Sequence, residues 1–208
     1  MEDVLEVYAR PYDPSRPVVC LDETSKQLLA RSRPALPARP GAPRAEDYEY
    51  VRRGVADVFM IFEPLACERR ALVTDRRTRR EFAEALRFIS DEMRPGAERI
   101  VLVCDNLNTH SLASLYEAFP PAEARRIAER FEVHHTPRHG SWLDMAEVEI
   151  GVLVRHGLPE RVGSVGEMAA LVKAWEEDRN ARQRTVDWQF TTEDARVKLK
   201  RLYPKYID

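Results

Sequence analysis

The stretch Val101–Ser111, VLVCDNLNTHS, decides how this chain is read. Its first four residues are apolar and suit a buried strand. The fifth is Asp105, and Asn106, Asn108, Thr109 and His110 follow it, a polar cluster that does not continue a strand. A carboxylate at a strand's end, beside small polar residues, is either a turn aspartate or a group placed to hold a metal ion or a reacting atom. Which of the two it is depends on whether other acids are delivered to the same place.

Working outward, the run continues upstream as RIVLVCD, a strand that follows the helical pattern TRREFAEALRFISDEM at 78–93. There Phe82, Leu86 and Ile89 recur at helical spacing, Thr78 and Glu81 form a capping box, and Pro95-Gly96 stops the helix. Downstream, SLASLYEAF (111–119) and AEARRIAERF (122–131) read as helices and FEVHHTP (131–137) as a strand. SWLDMAEVEIGVLVRHGL (141–158) reads as one long amphipathic helix. A further helix over 165–182 precedes a basic tail, ARVKLKRLYPKYID.

Nearer the N-terminus, one or two helical turns over 2–9 lead to PVVCLDET, a short apolar run that again ends on an acid, Asp22. YEYVRRGVADVFMIFEP (48–64) offers two β-rich runs broken at Gly54, the pattern of a hairpin, and RRALVTD offers another strand. Antiparallel strands followed by strand–helix alternation predict an α/β fold, a mixed sheet with helices packed on it. No internal repeat is present.

Composition sets the frame. A chain of 208 residues with 44% hydrophobic content can build a real core, and a formal charge of -2 does not by itself mark a nucleic-acid binder. Only five of the 33 basic residues are lysines; the arginine excess suits bidentate phosphate contacts, and a codon bias gives the same count. Cys20 and Cys104 lie in apolar runs and Cys67 in PLACERR. With no CxxC pair and no zinc-finger histidine spacing, the expectation is a reduced, intracellular protein. The acidic N-terminus lacks a signal peptide's apolar run, and no stretch approaches membrane-spanning length, so the expected location is cytoplasmic.

Asp22 and Asp105 stand 83 residues apart, and a third acid, Glu147 or Glu149, lies on the helix after the last strand. Only the fold brings them together: neighbouring first and fourth strands would set the aspartates side by side, with a helix across that end. Clustered carboxylates repel one another unless a cation neutralises them. Oxygen-only ligation suits Mg²⁺ or Mn²⁺. Two such ions about 4 Å apart can activate an attacking oxygen and stabilise a leaving one in phosphoryl transfer.

Taken together, VVCLDET, VLVCDNLNTHS and HHTPRHGSWLDMAEVE resemble the catalytic domain of insertion-sequence transposases of the mariner superfamily, from about Val18 to the RLYP near the C-terminus. The resemblance implies a ribonuclease H-like fold with an Asp-Asp-Glu (or Asp) triad, metal-dependent DNA cleavage and strand transfer, and Asp22 and Asp105 as metal-binding aspartates. The family's Leu-Asn-x-x-Glu block lands on Leu143 and Glu147, naming Glu147 as the third ligand; Asp144 replaces the usual asparagine and adds a charge beside the metals. Periodicity does not choose, because Leu143, Ala146, Ile150 and Leu153 mark the buried face and Glu147 and Glu149 flank it on opposite sides. Glu149 reads as a solvated flank residue, and Asp144 as a group serving the helix N-terminus.

The implied cofactors are two Mg²⁺ (or Mn²⁺) ions, and the implied partner is DNA, both transposon ends and target. The expected organisation is a linker over 1–16, the catalytic domain over 17–160, and a C-terminal helix and basic tail over 161–208. RSRPALPARPGAPR (31–44) has four prolines, four arginines and no acid, and reads as an extended cationic loop. Its Arg31, Arg33, Arg39 and Arg44, with Arg138 and His139 and the tail's Lys198, Lys200 and Arg201, are the candidate phosphate contacts. His110 and Asn106 are candidates for a substrate contact or a turn, and Trp142 for a packing anchor or a base-stacking ring. His134 and His135 alternate across a strand and do not form a joint metal site.

Members of this family usually carry a helix-turn-helix region ahead of the catalytic domain, and with about twenty residues before Asp22 the expectation is that this region is missing here. The expectation is a truncated frame, part of a split gene whose partner supplies a helix-turn-helix subunit, or an excised domain, assembling as a homo-oligomer on DNA at the nucleoid. Two rivals are a hydrolytic nuclease on the same fold and an inactive or domesticated remnant that binds only DNA or a partner subunit. A paired-carboxylate glycosidase lacks an aromatic sugar-binding groove.

Overall fold

The computed structural model describes residues 1–33, 38–41, 49–137, 140–183 and 188–203. The elements in chain order are α1 (Glu2–Tyr8), β1 (Val18–Arg31), β2 (Tyr50–Glu63), β3 (Glu68–Thr74), α2 (Arg79–Phe88) and β4 (Ile100–Cys104). There follow α3 (Ser114–Ala118), α4 (Pro121–Ala128), β5 (Phe131–His135), α5 (Met145–Val152), α6 (Val165–Ala181) and α7 (Thr192–Lys198). The strands form one sheet in the order β3-β2-β1-β4-β5. β1 pairs antiparallel with β2 and β2 with β3, whereas β1–β4 and β4–β5 are parallel. This is the mixed sheet with flanking helices that the order of strands and helices predicts, in the ribonuclease H-like form that the resemblance implies.

Alternation along the strands builds a core on each face. Val18, Cys20, Met60, Phe62, Val101 and Val103 join α1, α5 and α6 in one cluster. Val19, Leu21, Phe59, Ile61, Ile100 and Leu102 join α2, α3 and α4 in the other. All five residues of β4 are buried, as expected for a parallel strand covered on both sides. Truncating Leu102 to alanine there would cost roughly 2–5 kcal/mol. Thr78 caps α2 in the expected box with Glu81. Among the described residues no helix is long and apolar enough to cross a membrane.

Four expectations change. β1 does not stop at Asp22 but runs on to Arg31, because β2 is equally long and keeps pairing it. Arg31 is therefore the last residue of a strand, not the first of a loop. Gly54 does not turn the chain: Gln27 pairs with Val55 and Leu29 with Arg52, so Arg53 and Gly54 oppose Leu28 in a β-bulge. The φ of +95° at Gly54 is one that glycine adopts without strain.

The expected long helix at 141–158 is divided into a tight turn over Ser141–Leu143, α5, and a wide turn over Leu153–Gly157. Asp144 starts α5 by accepting a hydrogen bond from the Ala146 N–H at 2.8 Å. At Gly157 a Cβ would meet the Trp175 ring at 2.6 Å, so α6 packs where any other residue would block it. Finally, part of the basic tail is helical: α7 carries a capping box of Thr191 and Asp194.

Candidate metal centre

Leu21 and Cys104 are the last pair of the parallel β1–β4 ladder, so Asp22 and Asp105 leave it at the same level. β4 ends there; β1 continues, with Asp22 opposite Met60 of β2. Alternation gives Asp22 the face of Val18 and Cys20, the face that α5 covers. α5 packs against β1 and β2, and its exposed Glu147 lies close enough to act on Asp22 electrostatically. The turn ahead of α5 is pinned by Tyr8, whose hydroxyl donates to the Leu143 carbonyl at 2.6 Å.

Burial pushes the half-buried Asp22 carboxyl up to about 7, against the Glu23 N–H that it accepts at 2.8 Å; the negative charges of Glu23, Asp105 and Glu147 push the same way. Asp144 lies well above the ordinary carboxylate range, first through burial and then through Asp22, with Asp105 and Glu147 adding to it. Four carboxylates thus share one field. Asp144 Oδ2 is buried with no hydrogen-bond partner among the described residues.

Among the described residues no three acidic, histidine or cysteine side chains close on one point as a ready-made cage. Mutually repelling carboxylates are expected to stand apart until a cation draws them in. The donor set nevertheless fits a hard divalent ion: it is all oxygen, the Asp22 carboxyl is raised by burial and by its acidic neighbours, and a buried oxygen of the adjoining Asp144 is unmet.

His110 does not face outward to a substrate. Only 3% exposed, it lies under the loop after β4, its ring stacked on Phe82 with centroids 4.5 Å apart. Its Nδ1–H donates to Asp105 Oδ1, and its Nε2 lies 2.9 Å from Glu23 Oε2. Burial alone would depress the imidazole, but the hydrogen bond to Asp105 and the close Glu23 carboxylate raise it to about 9, so it is a cation at neutral pH. Glu23, which the sequence reading passed over, is the residue after Asp22 and belongs to the opposite face of β1. An acid pair on adjacent strand residues was the available signal.

Glu149 is not a solvated flank residue; it is fully buried. Its carboxylate lies 3.1 Å from Arg69 Nε and accepts from Arg179 Nη2 at 2.7 Å. Arg69, equally buried, also binds Asn180 through backbone and side chain and lies over the Phe62 ring. This network joins β3, α5 and α6, and it commits Glu149 to the core on the side of α5 away from Glu147.

The other candidates are scattered. Trp142 stacks on Trp188 with ring centroids 6.3 Å apart and meets Phe190 edge-on, as a packing anchor does. His134 binds Asp3 and Glu132. Arg31, Arg33, Arg39, Lys198, Lys200 and Arg201 are exposed. Lys198 is paired with Asp194 at 2.6 Å. Arg44, Arg138 and His139 lie outside the described residues.

A family model described as a DDE superfamily endonuclease matches residues 17–169. Among solved structures, the Mos1 strand transfer complex matches with TM-score 0.57 and 14% identity, over 86% of this chain and 54% of that one. The Mos1 mariner paired end complex with Mn matches at 0.54 and 16%, over 86% and 54%. The Mos1 transposase paired-end complex with left transposon end matches at 0.56 and 15%, over 88% and 56%. Identities this low establish the fold alone, and the chain spans about half the length of these relatives. No curated protein sequence matches it.

Proposed function

This chain belongs to the DDE superfamily of endonucleases, and from that premise we propose that it is the catalytic domain of a mariner-superfamily transposase of the insertion-sequence kind, cutting and joining DNA. What supports this most is that Asp22 and Asp105 leave the parallel ladder side by side while Asp22 is driven to about 7 by burial and by its acidic neighbours. Asp22, Asp105 and Glu147 hold two Mg²⁺ or Mn²⁺ ions. Bound there, the ions supply activation of the attacking oxygen and stabilisation of the leaving one.

The protein's own part is to place these oxygens. The β1–β4 ladder sets the level of the two aspartates, α5 brings Glu147 across, and Asp144 caps α5. Water, and later a DNA 3′-hydroxyl, attacks the phosphodiester in line. The exposed arginines and the C-terminal cations hold backbone phosphates. In this reading residues 17–160 are the catalytic unit, 1–16 lead into it and 161–208 pack on it. A helix-turn-helix subunit reads the transposon ends, and a homo-oligomer forms on DNA at the nucleoid.

The test is nicking of supercoiled plasmid with and without Mn²⁺ or Mg²⁺, by wild type and Asp105→Ala purified identically. Weak, sequence-indifferent nicking that needs metal and vanishes in Asp105→Ala is expected. Equal nicking by both proteins contradicts the site, and no nicking by a folded, Mn²⁺-binding wild type favours an inactive remnant.

A further inference from the structure

We propose that His110 is a positioning residue for Asp105: it ties down Oδ1 and leaves Oδ2 as the oxygen offered to metal, and Glu23 anchors it for that task. The inference rests on Asp105 being a metal ligand, as proposed above.

Three observations carry it. First, both contacts to the Asp105 carboxylate fall on one oxygen. Oδ1 accepts from His110 Nδ1–H and, at 3.3 Å, from the Leu107 N–H, while Oδ2 has no partner among the described residues. A carboxylate held this way is oriented to bind as a single-oxygen ligand. Second, His110 is itself immobilised. Its other ring nitrogen lies 2.9 Å from Glu23, its ring stacks on Phe82, and its backbone N–H donates to the Leu107 carbonyl at 2.9 Å. Third, the anchor comes from the strand that carries the first aspartate. Glu23 follows Asp22 and its side chain is 5% exposed, so His110 links the β1 residue beside one ligand to the other ligand across the sheet. Partners that orient a ligand in this manner typically alter metal affinity 10–100-fold when removed.

A histidine that merely fills the loop would behave differently, and two isosteric variants separate the cases. His110→Asn keeps an N–H near the Nδ1 position and so keeps the Asp105 contact. His110→Gln keeps one near Nε2 and so keeps only the Glu23 contact. Mn²⁺ affinity without DNA, read from the free-ion electron paramagnetic resonance signal, should stay within about threefold of wild type for His110→Asn. For His110→Gln it should weaken about 10–100-fold, with urea midpoints showing that both variants fold. Equal losses, or a loss confined to His110→Asn, would overturn the proposal.

Asp105→Ala is measured alongside. If it binds Mn²⁺ like wild type, the metal-site reading itself fails. If it loses Mn²⁺ while His110→Gln does not, only the positioning role fails. Should His110→Gln not fold, the unmodified protein decides. Mg²⁺ titration must move the His110 imidazole nitrogen resonances along the saturation curve of metal binding, and unmoved resonances overturn the role.

Discussion

Asp22 and Asp105 stand at one level of the sheet, each the next residue after the Leu21–Cys104 pair that closes the parallel ladder between β1 and β4. Two non-neighbouring parts of the chain therefore deliver like charges to one place, where Glu147 and the buried Asp144 add to the same field. Such an arrangement should cost the metal-free protein stability.

Replacing Asp22 by asparagine should relieve that cost. Its carboxyl is raised from 3.8 to about 7 in the fold. Between those values the folded protein keeps a proton that the unfolded chain has released, so stability falls as pH rises through the window and the penalty is complete above it. Asp22→Asn should therefore stabilise the metal-free protein by roughly 2–4 kcal/mol at pH about 7.5, and by little at pH about 4. Urea unfolding in chelator at the two pH values measures it; an unchanged midpoint at the higher pH contradicts the assignment.

Glu149→Ala should act in the opposite direction. It strips the counter-charge from Arg69, which is fully buried, and from Arg179. Leaving such cations uncompensated costs about 3–5 kcal/mol. Urea unfolding should show that loss, while the folded variant retains Mn²⁺ affinity; lost affinity with unchanged stability would make Glu149, not Glu147, the third ligand.

These two cases show what could be read from sequence. β4 and Asp105 were legible because a short apolar run with an abrupt polar end is a local signal. The capping box of α2 was legible for the same reason. The extension of β1 was not, since ETSKQLLAR carries no clear alternation and is held in place by β2. Glu149 was illegible because its burial depends on Arg69, 80 residues upstream, and Arg179, 30 residues downstream. Glu147 and Glu149 are two positions apart, about 200° round a helix, so one must face away from the other, but periodicity cannot say which faces the sheet's acids. His110 was noticed, yet its partner Glu23 is 87 positions earlier in the sequence and carries no local mark.

The arginine-rich segment should contribute to DNA affinity without contributing to sequence preference. Changing Arg31, Arg33, Arg39 and Arg44 together to glutamine should weaken binding uniformly across sequences. The logarithmic salt dependence should become shallower by about 0.9 for each phosphate that the variant no longer neutralises. Fluorescence anisotropy with labelled duplex over a salt series reads both quantities. An unchanged slope would reduce the segment to a plain connector.

The acid cluster as a metal centre is tested most directly by a crystal of the protein soaked in Mn²⁺, with anomalous scattering recorded at the manganese edge. The expected result is an anomalous peak ligated by carboxylate oxygens of Asp22, Asp105 and Glu147, with Asp105 binding through Oδ2 and with Glu149 still paired to Arg69 and Arg179. Ordered protein with these three carboxylates bare, or manganese bound elsewhere in the chain, would contradict the account.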